Sequence, residues 1–230
     1  MNTDLAKQLR ADVERFYEDH GGAFGATRAF YWKEEALAAE RVQPGMIVAD
    51  IGAGNGRFAR LLPPGATYIG VEPSSTLRAK NLSTGELRAG GFPHVPLADS
   101  FADITTSFAV IQHLPTAEER QAAARELLRI TKPGGTITVT SWHPTPEFTK
   151  RPIEALTDGE TGDVLVHWYA EGASEKRYIH DFSFDEWTRL WLHPDFEIEK
   201  IGLFGREDLV IDLTQGRNWF VIGRKRILPM

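Results

Sequence analysis

The sequence predicts an α/β fold built on a mainly parallel sheet. Three observations carry this. Short apolar, β-branched runs alternate with amphipathic stretches, the rhythm of βαβ units. Two of those runs, 46–50 and 68–72, each end in an acid, Asp50 and Glu72. Between them lies a turn with glycines at 52, 54 and 56. A length of 230 residues is within reach of one large domain, and we read 1–230 as a single domain. Hydrophobic residues are 42% and charged residues 25%, a balance that excludes collagen-like, low-complexity and disordered classes.

The elements follow in order. Leu5, Leu9, Val13 and Phe16 fall at helical spacing over 3–19, and Gly21-Gly22 predicts the end of that helix. A second helix is expected over about 27–41, stopped before Pro44-Gly45. Together they form an N-terminal helical cap, 1–44. The core, 45–143, opens with a strand at 46–50, then a helical stretch from Phe58 to Leu62 ended by Pro63-Pro64-Gly65. Tyr68 to Glu72 is the next strand, and Ser74 or Ser75 caps the helix after it. Asp103–Val110 is a third apolar run. Thr116 and Glu119 stand in capping-box spacing at the start of a helix over 116–130. Pro133-Gly134-Gly135 reads as a turn before a strand at 136–141. Residues 144–182 break the rhythm and are read as an insertion over the ligand edge of the sheet. A helix at 185–192 and strands at 196–203 and 219–222 complete the sheet with an antiparallel end.

The glycine turn has a chemical reading. Glycines after a strand allow a tight turn and close backbone approach to a ligand. A dinucleotide fingerprint would place its third glycine at position 57, which is Arg57, so the pattern is G-x-G-x-G. Glu72 lies 20 residues beyond Gly52, where an acid accepts both ribose hydroxyls of an adenosine. Asp50 suits a ligand carrying a cation and an amine better than a pyrophosphate. These demands match S-adenosylmethionine (SAM). The cofactor-binding candidates on the two turns are Asp50, Gly52, Gly54, Asn55, Gly56, Glu72 and Pro73, with Phe108 at the end of the third apolar run.

Val48 to Ser141 resembles the core of the class I SAM-dependent methyltransferases. The resemblance is carried by ADIGAGNG (49–56), GVEPS (70–74), VPLADSFAD (95–103), AVIQHL (109–114) and LRITKPGGTITVT (128–140). It implies a Rossmann-like, seven-stranded, mainly parallel sheet with helices on both faces, a reversed final hairpin and the insertion after the fifth strand. Many relatives hold the adenine amine with an acid after the third strand, where this chain has Gly90-Gly91-Phe92. Either Phe92 contacts the ring or the glycines are simply a turn.

The flanks resemble the methyltransferases that esterify 5-carboxymethyluridine at the tRNA wobble position. FYEDHGGAFGATRAFYW (16–32), AVIQHLPTAEERQAAARELLRITKPGG (109–135), VLVHWYAEGASEKRYIHDFSFDEW (164–187) and RNWFVIGRK (217–225) carry this. The family's Pro and second Tyr in the third segment are His167 and Ile179 here. The resemblance implies tRNA as partner and a small zinc-binding activator subunit. A carboxylate acceptor needs a cationic grip rather than a general base, and Arg28 and Arg177 lie in the family-like segments. Arg28 has a second reading, as a helix-surface charge, and the functional one is favoured. Tyr178 and His180 share one face of an extended segment and Arg177 the other, so the three converge only if the segment bends. His113 is a general base for a hydroxyl or amine acceptor, or a hydrogen-bonded loop residue. Trp142 walls the substrate or packs the core, and Trp168 stacks on a base or fills an apolar gap. Asn218-Trp219 orients the acceptor or belongs to a buried strand, while Trp187 and Trp191 read as core.

Three functions compete: the tRNA carboxyl O-methyltransferase, a methyltransferase for a small-molecule O, N or C acceptor with His113 or His180 as base, and a SAM- or RNA-binding scaffold without turnover. The chain has no cysteine, so a thiol nucleophile is excluded and Cys-ligated zinc would belong to a partner. No apolar run is long enough to span a bilayer, and cytoplasmic residence without membrane contact is expected. The net charge of −6 excludes general coating of nucleic acid. Residues 213–230 hold Arg217, Arg224, Lys225 and Arg226 and no acid, leaving −10 on the rest. That basic end either touches RNA phosphates or is a solvated tail.

Overall fold

The computed structural model describes residues 1–26, 31–170 and 173–227. Helix α1 (Thr3–Ala26) and helix α2 (Lys33–Ala39) precede the sheet. Strands β1 (Ile47–Ile51), β2 (Thr67–Glu72), β3 (Glu86–Ala89), β4 (Ala102–Phe108) and β5 (Thr131–Trp142) are parallel, in the spatial order β3-β2-β1-β4-β5. Helix α3 (Ser75–Arg78) follows β2 and helix α4 (Ala117–Ile130) precedes β5. After a short turn of helix, α5 (Pro146–Thr149), comes a separate antiparallel sheet of β6 (Ile153–Ala155), β7 (Asp163–Ala170) and β8 (Ala173–His180). Helix α6 (Phe184–Trp191) then leads to β9 (Phe196–Phe204), β10 (Leu209–Val210) and β11 (Asn218–Lys225). β11 lies antiparallel between β5 and β9. The strand order reverses between β1 and β4, and a crevice opens at such a switch point beyond the carboxyl ends of the strands.

The α/β class, the reversed final hairpin and the insertion after the fifth strand all appear. Among the described residues the main sheet has eight strands rather than seven. The eighth, β10, has only two residues, too short for a periodic signal. β3 also escaped the pattern, because it is a half-exposed edge strand whose Glu86 and Arg88 bond each other at 2.8 Å. Gly21-Gly22 does not end the first helix. α1 runs through both, and a Cβ at Gly21 would stand 3.0 Å from Leu77 Cγ, so the glycine lets α1 pack closely on α3. The helix expected over 27–41 is α2 alone within the described residues. The stretch from Phe58 is a 3-10 turn, Arg57–Leu61. The Pro133-Gly134-Gly135 turn lies inside β5 as an irregularity in its pairing with β4, with Gly134 at φ 80°.

One face of the sheet is covered by α4 and α6, with Ala123, Leu127, Trp187 and Trp191 in the core. The indoles meet edge to face at 5.6 Å, and Trp187 Nε1 donates to the Phe220 carbonyl at 3.1 Å. Burying each indole contributes about 4–6 kcal/mol at roughly 25 cal/mol per Å². The other face packs Ala38 and Val42 against Phe58 and Tyr68. Thr116 caps α4 through the Glu119 amide at 3.2 Å, and Ser74 caps α3.

The insertion is fastened to the core by buried polar groups. Arg120, 1% exposed, donates to Glu160 at 2.6 Å and to Glu186 at 3.3 Å. His180 stands between Asp163 (2.7 Å) and Glu186 (2.8 Å), and the Tyr178 hydroxyl donates to Asp163 at 2.6 Å. Burial opposes charging His180, but the two carboxylate bonds outweigh it and raise its pKa. The basic end of the chain is not one patch. Arg224 pairs with Glu199 at 2.7 Å and Lys225 Nζ donates to the Thr131 carbonyl at 2.9 Å, whereas Arg217 lies at the opposite end of β11, about 25 Å away along the strand.

Candidate active site

The glycine turn after β1 is built from left-handed residues. Gly52, Gly54 and Gly56 have φ of 76°, 58° and 73°. A Cβ on Gly52 would stand 2.2 Å from Val110, while one on Gly54 would meet nothing within 4 Å, so the backbone at 54 is open to a ligand. Glu72 binds both turns together: Oε2 accepts from the Gly54 amide and Oε1 from the Ser74 amide, each at 2.9 Å. Asp50 accepts from the Tyr68 hydroxyl and the Thr106 hydroxyl, each at 2.8 Å. Burial raises the Glu72 carboxyl above its usual range and pushes Asp50 up to about 6. Beyond β4, Ala109 sits at φ 55° and is held there by the Thr140 carbonyl and hydroxyl, at 3.1 and 3.0 Å. Backbone held in this sparsely populated region clusters at functional sites.

A cavity of about 960 Å³ lies over the switch point, with α1 as its roof. That is near the upper end for small-molecule sites and leaves room for a donor and an acceptor. Asp50, Gly52, Gly54 and Asn55 line it, as do Glu72, Pro73, Phe92 and Phe108. Gly56 does not. It faces Asn81 and Ser83 and starts the 3-10 turn instead. At 90–92 the chain makes a close turn, a Cβ on Gly90 standing 2.8 Å from Pro96, and Phe92 lines the cavity. Two buried carboxylates, an open backbone at Gly54 and aromatic side chains fit a cationic ligand carrying a ribose and a flat ring.

Around Arg177 the cavity wall has a different chemistry. Arg177 lies 5.2 Å from the Phe16 ring centre, 5.3 Å from Trp142 and 5.7 Å from Tyr17. Its Nη1 donates to the Tyr17 hydroxyl at 3.1 Å. His113 Nδ1 is 2.9 Å from the Tyr178 carbonyl, which can only accept, so Nδ1 carries the proton. Nε2 then accepts from the Tyr17 hydroxyl at 2.9 Å. Burial and the Arg177 charge push His113 down to about 3, so its imidazole is neutral.

The structure thus brings His113 and Arg177 together at the cavity, with Trp142 beside them. It turns Tyr178 and His180 away, into the buried network with Asp163, because β8 stays extended and alternates its faces. Neither lines the cavity. Trp168 packs on Phe16 at 5.2 Å and His20 at 4.8 Å, also outside the cavity lining. Arg28 lies outside the described residues. Sequence reasoning missed Tyr17, although it stands in a segment singled out for resemblance, because nothing local relates it to a histidine 96 positions away. It also missed Glu35, which pairs with Arg57 and which burial pushes up to about 7.

A family model described as "Methyltransferase domain" matches residues 49–139. A tRNA (carboxymethyluridine(34)-5-O)-methyltransferase of Arabidopsis thaliana is 33% identical over 131 residues, covering 56% of this chain and 32% of the relative. Its namesake in Macaca fascicularis is 32% identical over 148 residues, covering 63% of this chain and 22% of the relative. The chain therefore matches a third or less of the length of these two relatives. Among solved structures, a complex between the Haloferax volcanii Trm112 methyltransferase activator and a methyltransferase matches with a TM-score of 0.67. That match has 15% identity and covers 95% of this chain and 99% of the other. Among the described residues no helix is long and apolar enough to cross a membrane, and no cluster of metal-ligating side chains occurs.

Proposed function

Because the chain carries a class I SAM-dependent methyltransferase domain, we propose that it methylates the carboxylate of a carboxymethylated wobble uridine in tRNA. SAM, when bound, supplies a methyl group on a sulfonium, ready for in-line displacement. Glu72 would accept from the ribose hydroxyls, Asp50 would face the positive charge, and Phe92 and Phe108, which line the cavity, would hold the ring. Arg177 grips one oxygen of the acceptor carboxylate, and the aromatic walls keep water out. One observation carries the choice of acceptor: a guanidinium set among three rings, beside a histidine that stays neutral. The guanidinium serves an anion, and the one lone pair of the neutral histidine is already taken by the Tyr17 hydroxyl. The wobble position and tRNA rest on the flanking segments and on the relatives' names.

A small activator subunit is part of the proposal, supported by the neighbour solved with its activator. A cytoplasmic location goes with a tRNA substrate. The test is transfer of tritiated methyl to tRNA bearing 5-carboxymethyluridine, with and without the activator. A base-labile methyl ester is expected, and no labelling under either condition overturns the proposal.

The buried carboxylates add a pH dependence. A cationic ligand favours the ionised form of Asp50, whose pKa of about 6 should fall on binding. SAM affinity is then expected to rise by up to about tenfold per pH unit below 6 and to flatten above 7. Calorimetry near pH 6 in two buffers of different ionisation heat should show proton release, and none at pH 8. An affinity independent of pH would remove Asp50 from the donor site.

A further inference from the structure

We propose that Tyr17 is a positioning residue that fills the only lone pair of His113, withholds it as a base, and thereby favours acceptors that arrive already anionic. This rests on the methyltransferase reading and deepens it by naming a residue that sets the acceptor's charge class.

The argument is one of hydrogen-bond accounting. His113 is locked from both sides: Nδ1–H donates to the Tyr178 carbonyl at 2.9 Å, and Nε2 accepts from Tyr17 at 2.9 Å. The phenol oxygen in turn accepts from Arg177 Nη1 at 3.1 Å, which orients its proton toward the imidazole. Among the described residues, the titratable or charged groups facing the ring are Tyr17 from α1 and Arg177 from β8. Neither favours an imidazolium. One is a donor to the neutral ring and the other is a like charge.

Tyr17 is itself held in place. The Ser74 hydroxyl donates to its carbonyl at 3.1 Å, and the next residue, Glu18, accepts from the Ser75 amide at 2.8 Å. α1 is thus fastened to the turn whose Ser74 amide bonds Glu72.

The consequence separates acceptor classes. A carboxylate oxygen gives a lone pair to the methyl carbon while the carbon–sulfur pair returns to sulfur, and no proton moves. A hydroxyl or ammonium acceptor must also lose a proton. Of the two histidines considered as bases, His113 is the one on the cavity wall, and Tyr17 occupies its Nε2. The second histidine considered as a base, His180, lies outside the cavity between two carboxylates.

Two measurements test this. The first is a nitrogen-15 NMR titration of His113, which needs no acceptor. The wild-type ring should stay the Nδ1–H tautomer from pH 8 to about pH 4. Tyr17→Phe should move the Nε2 resonance and raise the pKa by roughly one unit, through loss of one hydrogen bond to the neutral form. A wild-type His113 that titrates between pH 5 and 8, or a spectrum unchanged in Tyr17→Phe, overturns the proposal.

The second compares 5-carboxymethyluridine with its alcohol analogue, 5-(2-hydroxyethyl)uridine, as acceptors. Tyr17→Phe should shift the carboxylate-to-alcohol preference at least about tenfold toward the alcohol, since general base catalysis is commonly worth 100-fold or more. An unchanged preference overturns the proposal as well. If the wild type methylates another carboxylate but no uridine, the tRNA reading fails and the role of Tyr17 stands. Should Tyr17→Phe prove unstable, Tyr17→Leu, which also removes the hydroxyl, serves both measurements.

Discussion

Replacing Glu72 with alanine is expected to weaken SAM binding by at least about 100-fold, measured by calorimetry with the free enzyme. Two losses combine. The carboxylate no longer accepts from the ribose, and each hydrogen bond to a charged group is worth roughly 1.5–3 kcal/mol. The glycine turn also loses its brace, since the same carboxylate holds the Gly54 and Ser74 amides at 2.9 Å. Glu72→Gln should be milder, at about tenfold. Its amide oxygen can accept one of those two bonds, but its NH₂ opposes the other donor. Stability should move little. Burial raises the Glu72 pKa, so the stability this group contributes is present below its unfolded value of 4.5 and is lost as pH rises through the folded value. At neutral pH the alanine variant relieves that cost while orphaning two amides. Unchanged affinity in Glu72→Ala would sink the cofactor assignment.

The cavity wall built from the glycine turn and Glu72 was legible because its residues are neighbours in sequence as well as in space. Asp50, Gly52 and Gly54 share one turn, and Glu72 closes the next strand, so spacing alone brings them together. Asp50 and Glu72 read as ligands for a cation and a ribose on the same grounds. The wall around Arg177 is assembled from distant segments. Tyr17, His113 and Arg177 come from α1, the loop after β4 and β8, and no local period relates them. The alternation of β8 was nevertheless readable. Arg177 faces one way and Tyr178 and His180 the other, and the tension this raised is resolved by the strand staying straight. What could not be read is which face meets the cavity. That depends on Asp163, Glu160 and Glu186 gathering around Arg120 and His180 to fix the insertion on the core. The limits of α1 were missed for a related reason. Glycine was weighed as a helix breaker, whereas here it serves the close contact with Leu77.

Arg177→Met should lower kcat/KM for the carboxylate acceptor by roughly 100- to 1,000-fold while leaving SAM affinity within about twofold. Methionine keeps the bulk among Phe16, Tyr17 and Trp142 but removes the charge. Truncating one partner of a desolvated, hydrogen-bonded charge pair costs about 2–5 kcal/mol. Arg177 bonds neither Asp50 nor Glu72, whose partners are Tyr68 and Thr106 and the Gly54 and Ser74 amides, so SAM affinity should not follow. Arg177→Lys should recover only part of the loss, because an ammonium lacks the planar fork that fixes a carboxylate with one oxygen left to react. The same substitution has a second readout. Burial and the Arg177 charge together hold His113 at about 3, so Arg177→Met should raise the His113 pKa while Arg177→Lys should not. If methyl transfer to the carboxylate survived in Arg177→Met within about threefold, the cation would be no part of the acceptor grip. The preference for an anionic acceptor would then have to come from elsewhere in the cavity.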